Sequence, residues 1–98
     1  MSGFLLSPAA RTDLAEIWDY TAGRWGVEQA ERYTRELTNA CQGLADKRLK
    51  GRAVDEIRAG YSRLSVGSHF LFYRLTDTGM TDIVRILHRR MDLPERLA

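Results

Sequence analysis

Tyr61-Ser62-Arg63-Leu64-Ser65-Val66-Gly67-Ser68-His69-Phe70-Leu71-Phe72-Tyr73-Arg74-Leu75 reads as a β-hairpin. Strand side chains alternate between two faces, so Leu64 and Val66 share one side of the first arm. Gly67-Ser68 is a two-residue reversal of the kind that joins paired strands. The second arm, His69–Leu75, is rich in Phe and Tyr, which suit a pleated, half-buried surface. Thr76-Asp77-Thr78-Gly79 turns the chain again, and Thr81–Leu87 is the last strand.

Upstream the period changes from two to about 3.6. Phe4-Leu5-Leu6 is a short apolar run closed by Ser7-Pro8, a helix start with Ser as N-cap and Pro in the first helical position. Leu14, Ile17, Trp18, Thr21 and Trp25 then recur as the stripe of an amphipathic helix, which Gly26 ends, with Gly23 as an earlier possible stop. Ala30, Tyr33, Leu37, Ala40, Cys41 and Leu44 form a second stripe directly afterwards. So short a connection makes the two helices an antiparallel hairpin. The basic, glycine-punctuated stretch from Lys47 to Gly60 reads as a loop with a short extended piece at Glu56-Ile57-Arg58. The expected order is β-α-α-β-β-β, an α+β fold with the helical hairpin packed on a curled, mostly antiparallel sheet and residues 1–98 forming one domain.

The strands are apolar on both sides. Phe70 and Phe72 share one face of the second arm, and Leu71, Tyr73 and Leu75 the other. Strict alternation in the last strand sets Ile83 and Leu87 against Val84 and Ile86. Two helices cover one face only. The second face calls for a partner, self-association, or a sheet coiled tightly enough to close on itself.

Composition excludes several classes. A chain of 98 residues with 44% hydrophobic side chains has room for one core and is too apolar for a disordered protein. No apolar run approaches the ~20 residues of a membrane span, and the first residues lack the basic segment of a signal peptide. A single cysteine, Cys41, forms no internal disulfide and fits a reducing cytoplasm. The net charge of +2 conceals a split: residues 1–46 carry 4 basic and 7 acidic side chains, residues 47–98 carry 11 basic and 6 acidic. Of the 15 basic residues 13 are Arg, which suits forked contacts to carboxylate or phosphate and points to an acidic partner, protein or nucleic acid, or simply to a solvated basic loop.

Candidate chemistry is sparse. No His, Cys, Asp or Glu cluster has metal-ligand spacing, and no glycine-rich loop has a phosphate-binding pattern, so neither metal nor cofactor is expected. Asp13 and Glu16 fall on an amphipathic helix, where a solvated face is the ordinary role. His88-Arg89-Arg90 follows the last strand, with Arg85 three residues earlier. Those are the residue types a ribonuclease needs, a base and acid beside cations for the phosphate, and equally a basic cluster for an acidic partner or for water.

Leu6-Ser7-Pro8-Ala9-Ala10, Glu16-Ile17-Trp18-Asp19-Tyr20, Arg24-Trp25-Gly26, Gln29-Ala30-Glu31-Arg32-Tyr33, His69-Phe70-Leu71-Phe72-Tyr73-Arg74 and Val84-Arg85-Ile86-Leu87-His88-Arg89-Arg90-Met91-Asp92 resemble, in order and spacing, the ParE branch of the RelE/ParE toxin superfamily. The pattern departs after Leu44-Ala45, where many members have a proline-bearing turn and this chain has Asp46-Lys47-Arg48. The resemblance implies the toxin of a bacterial type II toxin–antitoxin operon, acting on DNA gyrase without cutting RNA. It also implies a ParD-like antitoxin whose C-terminal segment folds on the toxin and whose N-terminal domain makes the operator contact, so that the toxin meets DNA only indirectly.

On that resemblance the antitoxin's amphipathic segment covers the strand face of Leu71, Tyr73, Leu75, Val84 and Ile86, and its acidic character pairs with Arg52 and Arg58. RelE-like relatives cleave mRNA on the ribosome, which would make His88 a base with Arg85 and Arg63 as phosphate stabilisers. Met91-Asp92-Leu93-Pro94 and the absence of any tyrosine after Tyr73 match the ParE branch better. His88, Arg89, Arg90 and Met91 are therefore expected to contact the target, with a ribosome-dependent endoribonuclease or an inactive co-repressor as the alternatives.

Overall fold

The hairpin at Gly67-Ser68 forms as expected and sits within a larger sheet. A computed structural model describes residues 3–90. The elements are β1 (Phe4–Leu6), α1 (Pro8–Trp25), α2 (Val27–Ala45), β2 (Arg52–Ala53), β3 (Ser62–Val66), β4 (His69–Leu75) and β5 (Thr81–His88). The sheet order is β1-β5-β4-β3-β2, with β1 parallel to β5 and every other pair antiparallel. This is the α+β arrangement of a helical hairpin on a mostly antiparallel sheet, with one strand more than expected. The short extended piece lies at Arg52–Ala53, paired with Arg63 and Ser62. Glu56, Ile57 and Arg58 form a turn instead, because the Ile57 and Arg58 N–H groups both donate back to the Val54 carbonyl.

Ser7 fastens the helices to the sheet. Its Oγ accepts the Ala10 N–H at 3.0 Å as the N-cap of α1 and donates to the Val84 carbonyl at 2.7 Å, while its own N–H bonds Ile83. Pro8 follows at the helix start, where its missing N–H costs nothing. Gly23 does not stop α1. Gly26, at φ 98°, closes α1 and opens α2 as the only residue between them. At the other end α2 finishes on Ala45, and Lys47 takes a positive φ of 64° in place of a proline-bearing turn.

Two cores lie on the two sides of the sheet. The larger joins Ala10 and Ile17 of α1, Leu37, Cys41 and Leu44 of α2, and Val66, Leu71, Tyr73, Ile83 and Ile86 of the sheet. The smaller joins Phe72 and Leu87 to Val54, with Ile57, Tyr61 and Phe70 packed around them. The second face is therefore covered by the chain itself, through the loop that precedes β3.

Strict alternation fails in β5. Phe72 pairs with Arg85 but Tyr73 pairs with Ile83, so Val84 is an extra residue in a β-bulge. The bulge resets the parity: Ile83 and Ile86 both join the helix-side core, and Leu87 joins the outer one. The expected pairing of Ile83 with Leu87, and of Val84 with Ile86, is corrected accordingly.

Candidate functional site

The expected antitoxin face is not an open surface. Leu71, Tyr73 and Ile86 lie in the main core beneath the helices, because that is the face the hairpin covers. The Tyr73 hydroxyl also accepts the Gly51 N–H at 2.8 Å, pinning the loop before β3. Val84 is half-buried at the bulge, whereas Leu75, Arg52 and Arg58 are exposed.

The ribonuclease set does not assemble either. Arg85 is turned to α1, where its Nε and Nη2 each lie 2.8 Å from a carboxylate oxygen of Asp13, a forked and well-aligned pair. Asp13 Oδ2 accepts the Ile86 N–H as well, at 2.9 Å. The pair raises the Arg85 pKa, through the Asp13 hydrogen bond first, so this guanidinium is committed to a carboxylate. Arg63 lies on the outer face, 4.2 Å from the Phe70 ring centroid. His88 pairs across the strands with His69, on the helix side. The base and Arg63 thus stand on different sides of the sheet, while Arg85, on the helix side with His88, is held by Asp13.

The structure brings together a cleft that strand and helix patterns alone do not reveal. About 580 Å³ lies between the second half of α1, Tyr33 of α2, and the adjoining ends of β4 and β5 at His69 and His88. Its mouth carries Tyr20 and Trp25, 67% and 66% exposed, where the α1 stripe runs past the sheet. The Arg24 guanidinium lies 5.5 Å from the Trp25 ring. Large exposed aromatics beside an apolar floor of Ile17 and Ile86 are the composition of an interaction site.

At the cleft's inner end Tyr33 organises the turn. Its hydroxyl accepts the Ser68 N–H at 3.0 Å, donates to the Val66 carbonyl at 3.4 Å and shares a hydrogen bond with His69 Nδ1 at 2.6 Å. Burial raises the Tyr33 pKa, opposed by the Ser68 N–H, so the hydroxyl keeps its proton. Burial, and then the nearby His88, push His69 down to about 4. The two imidazoles meet edge to face with centroids 5.3 Å apart. His88 Nδ1 accepts the Arg90 N–H at 3.2 Å, which leaves its ring proton on Nε2. The two imidazoles and the Tyr33 phenol make a hydrogen-bonding surface. Among the described residues no group of three His, Cys, Asp or Glu side chains is placed to hold a metal ion.

The expected target residues divide around the strand end. His88 lies on the helix side, and the Arg89 guanidinium reaches over Phe70 on the outer face. Arg90 is exposed, and Met91 lies outside the described residues.

Residues 4–93 match the family described as the ParE toxin of the type II toxin–antitoxin system parDE. The chain belongs to the ParE toxin family. It is 57% identical over 96 residues to toxin ParE1 of Mycobacterium tuberculosis, covering 98% of each chain. It is 41% identical over 92 residues to toxin ParE1 of Caulobacter vibrioides, covering 94% of each, and 31% identical over 98 residues to toxin ParE of Escherichia coli, covering 100% of this chain and 95% of that one. Among solved structures, the chromosomal ParDE toxin–antitoxin system of P. aeruginosa superposes with a TM-score of 0.77 at 20% identity, over 90% of this chain and 96% of that one. The RelBE2 toxin–antitoxin complex of M. tuberculosis gives 0.62 at 22% identity, over 90% and 98%. These last two establish the ParE/RelE-like fold. No helix among the described residues is long and apolar enough to cross a membrane.

Proposed function

We propose that this ParE-family toxin arrests growth by binding DNA gyrase, and that a ParD-like antitoxin neutralises it. The observation that carries the reading is identity of 57% with a ParE1 toxin along nearly the whole of both chains. The fate of Arg85 supports action by binding over RNA cleavage, since its guanidinium is held by Asp13. His88, Arg89 and Arg90, with Met91 beyond them, are the residues proposed to meet the target. Leu75, Arg52 and Arg58, all exposed, are the residues proposed to meet the antitoxin's acidic segment. In this reading the antitoxin makes the operator contact and the toxin acts in the cytoplasm.

Induction of the chain without its antitoxin should stop DNA synthesis and produce filaments, and the purified protein should inhibit supercoiling by gyrase. Rapid arrest of translation with cleaved mRNA, abolished by His88→Ala, would establish the ribonuclease instead. An adjacent reading frame encoding a small ribbon-helix-helix protein with an acidic tail should yield a protein that co-purifies with the toxin.

A further inference from the structure

The arginines of the sheet fall into two groups. Arg52 meets Glu56 at 3.5 Å, Arg74 meets Asp82 at 3.2 Å, and Arg85 meets Asp13 at 2.8 Å. Arg63 and Arg89 differ. Both guanidinium groups lie over one ring, that of Phe70, at 4.2 and 5.7 Å from its centroid. Among the described residues no carboxylate pairs with either.

Two like charges over one ring are no farther apart than those two distances together, which is about one Debye length at 0.1 M salt. Their repulsion is relieved when carboxylates bind beside them. The ring also restricts the planar forks, so less freedom is lost when they accept an oxyanion. Phe70 itself is steadied from below by Phe72, edge to face at 6.0 Å, within the outer core.

We propose that Arg63, Phe70 and Arg89 form an anion clamp on the outer face of the sheet, and that it takes carboxylates of the antitoxin's acidic segment. The inference rests on the reading of the chain as a toxin with an antitoxin partner. A peptide suits the site better than a nucleic acid for two reasons on this surface. Single-stranded nucleic acids bind through free aromatic faces on which bases stack. Here Arg63 lies over the Phe70 ring, and the Arg58 guanidinium lies 4.9 Å from that of Tyr61. The outer core also sets apolar side chains, Ile57 and Tyr61, beside the charges, which a peptide of mixed acidic and apolar residues can use and a phosphate backbone cannot.

The test uses the toxin released from its co-expressed complex and refolded, titrated with the adjacent-frame antitoxin at 50 and 300 mM salt. Arg63→Gln and Arg89→Gln should each weaken binding about 10-fold at the lower salt and flatten the salt dependence. Arg63→Lys should recover only part of the loss, because a point charge does not replace a stacked fork. Arg74→Gln, whose charge already has Asp82, should bind as the native chain does. Far-UV circular dichroism and melting midpoints establish that each variant is folded. Native-like affinity of folded Arg63→Gln and Arg89→Gln overturns the clamp and leaves the toxin–antitoxin reading standing. Failure of the native chain to bind the antitoxin overturns both. Loss of binding to a 12-nucleotide oligothymidine, with antitoxin affinity intact, assigns the clamp to nucleic acid and overturns the proposal.

Discussion

Asp13 is a buried acidic residue of α1. Its carboxylate accepts from Arg85 Nε, Arg85 Nη2 and the Ile86 N–H, tying α1 to the strand that carries the bulge. At that burial, removing its charge strands a guanidinium and leaves a backbone donor poorly served. Asp13→Asn is expected to cost about 2–4 kcal/mol in urea denaturation. A loss under about 0.5 kcal/mol, the ordinary range for a surface residue, would show that the pair contributes little. His69 makes a different prediction. Above pH 6.5, its ordinary pKa, the ring is neutral in the folded and unfolded chain alike. As pH falls, the unfolded ring takes a proton that the folded one refuses until about 4, so stability declines across that window and levels off below it. The melting midpoint should therefore drop more steeply from pH 6.5 to 4 in the native chain than in His69→Gln. An NMR titration of the His69 ring with a midpoint near 6.5 would contradict the burial argument.

At the scale of elements, two glycines with positive φ separate strain from crowding. Gly79 has φ 84° with nothing near an added Cβ, whereas Gly67 has φ 56° and an added Cβ would lie 2.7 Å from a Tyr33 ring carbon. Gly79→Ala should cost about 1 kcal/mol from backbone strain alone. Gly67→Ala should cost about 2–3 kcal/mol, because the ring that must move also holds Ser68 and His69. Equal losses in thermal melts would remove Tyr33 as the cause. The turn at Gly67 and both helices were legible in the sequence, since local residues determine them: Ser7-Pro8 starts α1, Gly26 parts the helices, and Gly67-Ser68 reverses the strands. The bulge at Val84 was not legible. It forms where β5 must both pair with β4 and deliver Arg85 to Asp13, 72 residues earlier in the chain. One unforeseen extra residue exchanged Ile86 for Leu87 between the faces. The expected antitoxin face is largely core for a different reason: the helical hairpin packs on the side of Leu71, Tyr73 and Ile86.

At the scale of the molecule, the sheet separates two cores that differ in how they are closed. The helix-side core is sealed by two long helices, and the outer one by a loop of ten residues from Gly51 to Gly60, held by the bond from Val54 N–H to the Tyr61 carbonyl and by Val54 itself. The apolar excess on the strands pointed to a partner, a second copy or a coiled sheet over the second face; the chain's own basic loop packs there instead, which composition could not show. Val54 and Ile57 fall in a stretch bounded by Gly51 and Gly60, with Tyr61 just beyond it, too short to read as a helix despite their spacing. A small core under one loop should open separately from the rest. Val54 is fully buried, so Val54→Ala leaves a void and should cost about 1–3 kcal/mol. In hydrogen exchange the loss should appear first at the N–H groups of Val54, Ile57, Arg58 and Tyr61, which close the loop on itself, while amides in the middle of α2 keep their protection. If protection fell equally in the loop and in α2, the two sides of the sheet would unfold as one unit and the loop would not be an independent cover. The same variant bears on the outer surface, because Phe70 packs against this core and carries Arg63 and Arg89. Loosening the loop should therefore weaken antitoxin binding through the clamp while leaving the cleft at His69 and His88 intact.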